Sequence, residues 1–130
     1  MWDFRRFVAQ PRAPGGSLEK IMNYKLCVPC LLGLEGPIAD ELKRLELADV
    51  AAENGRVYFT GNDAALARAN INLRIGERVL VELGRFDALS FDALFEGTKA
   101  LPWESLLPKD AAFPVKGYSL NSRLFSVSAA

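Results

Sequence analysis

The most informative segment of the sequence is residues 54–63, NGRVYFTGND. Asn54-Gly55 is the preferred central pair of a type I′ hairpin turn, because both central residues of that turn need positive φ. After this pair, apolar residues alternate with other residues, as in a strand that buries one face. Residues 49–53 and 56–60 are therefore predicted to form a β-hairpin.

Amphipathic helices are predicted on both sides of the hairpin. Upstream, Ile38, Leu42 and Leu45 are spaced four and three residues apart, which places them on one helical face. Downstream, Asn62 can cap the free N–H groups of a helix, and Gly76 is a natural stop. The apolar face predicted for this second helix consists of Leu66, Ala69 and Leu73, widened by Ile71 and Ile75.

Two further strands are predicted at residues 24–28 and 78–86, where apolar residues recur at every second position. The order of elements between about residues 23 and 86 is then β-α-β-β-α-β. This order predicts an α+β fold of the ferredoxin-like type, in which both helices cover one face of a four-stranded antiparallel sheet.

A new pattern begins after Phe86. Ser90 is predicted to cap a short helix, and Pro102 fits the first turn of another. Strands are predicted at residues 113–118 and 124–128. The last strand has no following element to cover it, so we expect an incomplete α/β domain.

The predicted division of the chain has three parts. Residues 1–21 contain several prolines and glycines and are expected to form a flexible extension. Residues 22–86 form the ferredoxin-like domain, and residues 87–130 form the incomplete domain.

The composition excludes several kinds of protein. Basic and acidic residues number 16 each, so the net charge of zero gives no argument for nucleic acid. The absence of histidine removes the commonest acid/base group and metal ligand. No apolar run approaches the roughly 20 residues of a membrane span, and residues 1–21 lack the apolar stretch of a secretory signal. We therefore expect a cytoplasmic protein that does not enter a membrane.

Three motifs could carry chemistry. Cys27 and Cys30 are two residues apart after a strand, which is compatible with a small thiol redox protein. Zinc needs four ligands, and two sulfurs without histidine do not supply them, so no metal site is predicted.

Residues 33–36, GLEG, lack phosphate-loop spacing and are expected to shape a strand-to-helix turn. Asp92 and Glu96 are four residues apart on a helix, a spacing more typical of a solvated face than of a carboxylate pair.

The order and spacing of short motifs resemble the N-terminal region of bacterial THUMP-domain class I methyltransferases that act on guanine N2 of large-subunit ribosomal RNA. The similarity covers about residues 23–128. The motifs are Gly33-Leu34-Glu35, Asp40-Glu41-Leu42-Lys43-Arg44-Leu45, Asn54-Gly55-Arg56-Val57-Tyr58-Phe59-Thr60-Gly61, Ala69-Asn70, Leu73-Arg74, Glu77-Arg78-Val79-Leu80, Phe86, Ser90-Phe91-Asp92-Ala93-Leu94-Phe95 and Trp103.

This resemblance implies a ferredoxin-like domain and a THUMP domain that grip structured RNA, expected to be ribosomal. In such relatives a downstream domain binds S-adenosylmethionine and holds the target base with an Asn-Pro-Pro-Tyr-type motif. Neither that motif nor a glycine-rich cofactor loop occurs in these 130 residues. The resemblance thus implies an RNA-binding fragment that lacks the C-terminal methyltransferase domain, with no cofactor or catalytic residue of its own.

Phosphate contact requires positive charge and N–H donors. The residues predicted to contact RNA are Lys116 and Arg123, with Arg74, Arg78 and Arg85 secondary. Two alternatives stay open at this point. One is the redox protein, and the other is a ferredoxin-like module that binds a protein through an exposed strand edge.

Overall fold

The computed structural model describes residues 23–112, 114–117 and 124. The extension predicted at residues 1–21 lies outside them, as does most of the strand predicted at 124–128. The described chain forms two compact units, one ending at Glu82 and the other beginning at Leu83.

The first unit contains, in chain order, β1 (Tyr24–Pro29), α1 (Glu35–Arg44), β2 (Ala48–Glu53), β3 (Arg56–Gly61), α2 (Asp63–Asn72) and β4 (Leu80–Glu82). Its strands form a four-stranded sheet in the order β2-β3-β1-β4. All three pairs of neighbouring strands are antiparallel. This topology confirms the ferredoxin-like fold predicted from the sequence.

One core lies between the sheet and the two helices. Alternate side chains of β1 and β3 are directed to the same face, and both helices pack against it. The prediction that the two helices cover one face is therefore confirmed. The core residues without solvent exposure are Leu26, Val28, Ile38, Leu42, Val57, Phe59 and Ala69.

The hairpin forms where it was predicted, but its turn differs from type I′. Gly55 has a φ of 75°, whereas Asn54 is not among the residues with positive φ. This combination matches the φ values of a type II turn, which needs glycine as its second central residue. The cause is a tertiary contact, because the Gly55 N–H donates a hydrogen bond of 2.8 Å to the Glu35 carboxylate. That bond orients the central peptide of the turn.

The end of α2 also departs from prediction. The helix ends at Asn72 rather than continuing to Gly76, and β4 has only three residues, Leu80–Glu82, of the predicted 78–86. Ile71 was assigned to the apolar face but is 80% exposed. Ala65 and Ala69 provide the buried face of α2, and Ile71 lies about 200° around the helix from Ala69.

The second unit contains α3 (Phe91–Lys99) and a 3₁₀ turn (Trp103–Ser105). The Ser90 hydroxyl accepts a hydrogen bond of 3.1 Å from the Ala93 N–H, which confirms the predicted cap. The Trp103 indole N–H donates to the Thr98 carbonyl at 2.7 Å and ties the turn to α3. Residues 114–117, within a predicted strand, have irregular backbone.

The buried core of this second unit consists of Ala88, Leu94 and Leu124, with Phe86 and Phe91 packed against it. The Phe86 ring lies directly on the backbone of α3 at Gly97, where an added Cβ would come within 2.4 Å of the ring. None of the helices in the described ranges is long and apolar enough to cross a membrane.

Candidate nucleic-acid interface

The basic residues predicted to contact RNA are divided between the two units. Arg74 and Arg78 lie between α2 and β4 in the first unit, and Arg85 and Lys116 lie in the second. All four are exposed. Arg123 lies outside the described residues. Of the predicted set, Arg74 and Arg78 share one loop of the first unit.

The loop that carries Arg74 is held in place by α1. One carboxylate oxygen of Glu41 accepts hydrogen bonds from the backbone N–H groups of Arg74, at 3.2 Å, and Ile75, at 3.3 Å. Two residues after Arg74, an added Cβ on Gly76 would come within 2.6 Å of Val28. The backbone thus runs close against the sheet, and the Arg74 side chain extends into solvent from a fixed position.

Arg78 is less available for a phosphate than Arg74. Its guanidinium lies 3.2 Å from the carboxylate of Glu77, and both side chains are exposed. An exposed ion pair contributes little to stability, but its carboxylate offsets positive charge where a phosphate would bind. We therefore rank Arg74 above Arg78 as a contact residue. The spacing of Arg74 and Arg78 in the sequence could not rank one above the other as a phosphate contact.

A pair of residues that the sequence analysis did not select lies on α3. Phe95 is 63% exposed, and the Lys99 ammonium lies 5.9 Å from the centre of its ring. The signal in the sequence is a phenylalanine and a lysine four residues apart, with Leu94 on the core side of the helix. Asp92 and Glu96 are exposed on the same helix, as their spacing predicted.

The two cysteines do not form a redox pair in this fold. Cys27 is 3% exposed and packs with Tyr58 and Leu80 on the face of the sheet away from the helices. Cys30 packs against the core on the opposite face. Burial and the nearby Glu35 carboxylate raise the pKa of the Cys30 thiol, which disfavours the reactive thiolate.

The turn before α1 binds its own carboxylate. Glu35 accepts hydrogen bonds from the backbone N–H groups of Gly33, at 2.7 Å, and Gly55, at 2.8 Å. Gly33 has a φ of 96°, as a tight strand-to-helix turn requires. The Glu35 carboxylate already satisfies these two N–H groups, so they are not available to a phosphate. Among the described residues, no three Cys, Asp or Glu side chains are grouped to hold a metal ion.

The edge strand β2 is interrupted. The register shifts between Ala48 and Ala51, and Asp49 has a φ of 55°. The Thr60 hydroxyl donates to the Asp49 carboxylate at 2.6 Å. A bulge with an acidic residue is typical of an edge protected against pairing with another strand. This geometry gives no positive support to the alternative of a strand-edge interaction module.

Comparison with protein-family models identifies both units. Residues 25–80 match the RlmL ferredoxin-like domain, and residues 88–129 match the THUMP domain. The first match covers β1 to the start of β4, and the second covers α3 and the 3₁₀ turn.

Related proteins carry methyltransferase names. The chain is 40% identical to the Bacillus subtilis protein named RNA methyltransferase YpsC, over 81% of this chain and 27% of that protein. It is 31% identical to ribosomal RNA large subunit methyltransferase K/L of Pseudomonas putida, over 72% of this chain and 13% of that protein. The chain therefore spans about a quarter or less of these relatives.

Solved structures agree with these relatives. A predicted N6-adenine-specific DNA methylase from Listeria monocytogenes superposes with a TM-score of 0.80 at 48% identity, covering 83% of this chain and 28% of that chain. SMU.472, a candidate methyltransferase in complex with SAH, superposes with a TM-score of 0.79 at 37% identity, covering 85% of this chain and 29% of that chain. The chain therefore holds an RlmL ferredoxin-like domain followed by a THUMP segment, and over most of its length it is similar to proteins named as methyltransferases.

Proposed function

We propose that this chain is the RNA-binding part of a methyltransferase that modifies ribosomal RNA of the large subunit. The observation that carries the proposal is the presence of both family matches in one chain, the RlmL ferredoxin-like domain at 25–80 and the THUMP domain at 88–129. The names of the K/L relatives supply the class of RNA.

The reaction we propose for the whole protein is methyl transfer from S-adenosylmethionine to the exocyclic amine of a guanine. The SAH-bound neighbour supports the cofactor class. This chain has neither a glycine-rich cofactor loop nor an Asn-Pro-Pro-Tyr-type motif, so we assign it no cofactor contact. Its proposed part is to hold the RNA.

Two properties of the fold suit that part. The sheet and helices of the first unit form a rigid support, and Glu41 fixes the loop from which Arg74 extends. A cation on a fixed backbone binds a phosphate with little further loss of backbone freedom. Phosphate contacts position an RNA without reading its sequence, and base recognition then depends on other groups.

Charge reversal tests this proposal. In the full chain, Lys116→Glu with Arg123→Glu should weaken binding to a hairpin RNA taken from the large-subunit ribosomal RNA. Because each lost phosphate contact lowers the salt slope by about 0.7 to 0.9, the double variant should show a slope lower by about 1.4 to 1.8. Arg74→Glu alone should lower the salt slope by about half as much. Fluorescence anisotropy across a range of salt concentrations measures both effects.

The matched control is Lys43→Glu with Arg44→Glu, which changes the charge equally at exposed positions of α1. The control should bind as the unmodified chain does. Equal losses in both double variants would show that total charge matters and would remove Lys116 and Arg123 from the site. A chain that binds no RNA at low salt, but sediments as a stable dimer, would favour the interaction module.

A further inference from the structure

The surface of α3 exposes an aromatic ring that the core of its unit does not use. Leu94 is the buried residue of the helix, and Phe91 packs against the same core. Phe95 follows Leu94 by one residue, which turns its side chain about 100° around the helix, and it remains 63% exposed. Apolar surface exposed on this scale is unfavourable in water, so a ligand that covered the ring would gain free energy of binding.

A cation lies next to this ring. The Lys99 ammonium is 5.9 Å from the centre of the Phe95 ring, a distance compatible with a cation–π contact. The two side chains are one helical turn apart, so α3 holds them as neighbours. An aromatic face beside an ammonium group has the chemistry that a nucleotide requires, because the base stacks on the ring and the phosphate meets the charge.

The acidic residues next to Phe95 and Lys99 limit the kind of ligand that can bind there. Asp92 and Glu96 are exposed on the adjoining stripe of α3. Their carboxylates repel backbone phosphates of single and double strands alike, which limits phosphate contact on this face to the position beside Lys99. They can accept hydrogen bonds from the amino group of a base. Because a paired base stays stacked in its duplex, whereas an unpaired base can stack on Phe95, the site suits an unpaired nucleotide.

We propose that Phe95 and Lys99 form a stacking site for an unpaired base of the bound RNA. This inference rests on the proposed RNA-binding function and adds to it the part of the RNA that the THUMP segment recognises. In this arrangement the basic residues fix the RNA backbone, and α3 selects RNA that offers an unstacked base.

The test compares two RNAs and two substitutions at one position. The probes are a fluorescent hairpin with unpaired loop nucleotides and a fully paired duplex of equal length. Phe95→Leu keeps an apolar side chain but removes the aromatic face, whereas Phe95→Tyr keeps the face. Since stacking on one aromatic side chain changes affinity by about fivefold or more, Phe95→Leu should lose at least that factor on the hairpin. Phe95→Tyr should stay within about twofold on the same stacking argument.

Three further measurements sharpen the test. Duplex binding should be the same for all Phe95 variants. Lys99→Gln should lower the salt slope on the hairpin by about 0.7, as for one phosphate on a single strand. A 2-aminopurine in the loop should be quenched by the unmodified chain and not by Phe95→Leu. Leu89→Ala is the control, because Leu89 is 78% exposed in the same unit but is not aromatic.

The outcomes separate this inference from the function on which it rests. Hairpin binding by Phe95→Leu at the level of the unmodified chain would overturn the stacking site and leave RNA binding intact. Equal losses on hairpin and duplex would also overturn it. An unmodified chain that binds neither RNA would overturn the proposed function as well.

Discussion

The described parts of the two units differ in the size of their buried cores. In the first unit, strands and helices share a core whose central residues, such as Val28 and Phe59, have no solvent exposure. In the described part of the second unit, three buried residues form the core, and each keeps a few per cent exposure. Both units expose large apolar side chains, Leu31 and Ile71 among those of the first unit and Phe95 among those of the second.

The difference in core size predicts a difference in stability between the units, and stability bears on the role of each unit. A continuous core between a sheet and helices resists local opening, whereas a small core allows it at lower free energy. The first unit is thus suited to act as a rigid support. Both units present exposed groups that a ligand can contact, Arg74 in the first and Phe95 in the second. The contrast between the units therefore concerns stability, and substitutions in the two cores test it most directly.

Truncation of Phe59 should produce the largest loss of stability. Phe59→Ala leaves a cavity at the centre of the first core and should cost about 3–5 kcal/mol. Leu94→Ala, in the smaller core, should cost about 2–3 kcal/mol, toward the lower end for such truncations. Denaturant unfolding followed by far-UV circular dichroism should report mainly the loss of stability caused by Phe59→Ala.

Trp103 fluorescence reports the second unit, and a Trp2→Phe background removes the other tryptophan. Leu94→Ala should shift the fluorescence transition while the sheet signal moves little. If both variants shift both transitions equally, the two units unfold together and the contrast between them is wrong.

The next effect concerns the close approach of the α2–β4 loop to the sheet. Gly76→Ala would place its Cβ 2.6 Å from Val28, a buried residue with a stiff branched side chain. Overpacking of this kind should destabilise the first unit by about 1–3 kcal/mol. Gly36→Ala is the control, because no atom lies within 4 Å of its added Cβ. The control should be neutral or stabilising by up to about 1 kcal/mol in the same unfolding assay.

Much of the first unit could be predicted from local sequence. The alternation in β1 placed Leu26 and Val28 on one face and Cys27 on the other, because successive strand side chains point in opposite directions. Asn62 was predicted as a cap, and its side chain accepts a hydrogen bond of 3.0 Å from the Ala65 N–H. Such features depend on residues within one turn or one strand.

Features that depend on distant residues were predicted incorrectly. The turn at Gly55 is set by Glu35, which is 20 residues earlier in the chain. The loop after α2 is set by Glu41, which is 33 residues before Arg74. Periodicity cannot show that a distant carboxylate binds these N–H groups. The RNA-contact residues stay a prediction, because charge in a sequence does not specify which residues meet in space.

Two helix caps with the same chemistry allow a direct comparison of the stability of the two units, with a smaller expected effect. Asn62 caps α2 in the first unit, and Ser90 caps α3 in the second. Removal of either side chain by substitution with Ala should cost about 0.5–2 kcal/mol, because a backbone N–H loses its acceptor. Asn62→Ala should shift the circular dichroism transition, and Ser90→Ala should shift Trp103 fluorescence. Gln at either position is a control that keeps a polar group without the capping geometry.

The smallest expected effect is the pH dependence that Glu35 contributes to the first unit. Hydrogen bonds from the N–H groups of Gly55, of Glu35 itself and of Gly33 lower the pKa of this carboxyl below its ordinary value of 4.5. A carboxyl with a lowered pKa in the folded state stabilises the protein at pH above its ordinary pKa, and this contribution is lost as pH falls through the lowered value.

Glu35→Gln should therefore reduce the stability of the first unit at pH 7 and flatten the decline of that stability in acid. The transition followed by circular dichroism should show both changes, whereas that of Trp103 fluorescence should not. An unchanged pH profile in Glu35→Gln would mean that the Glu35 contact with the hairpin turn does not stabilise the first unit.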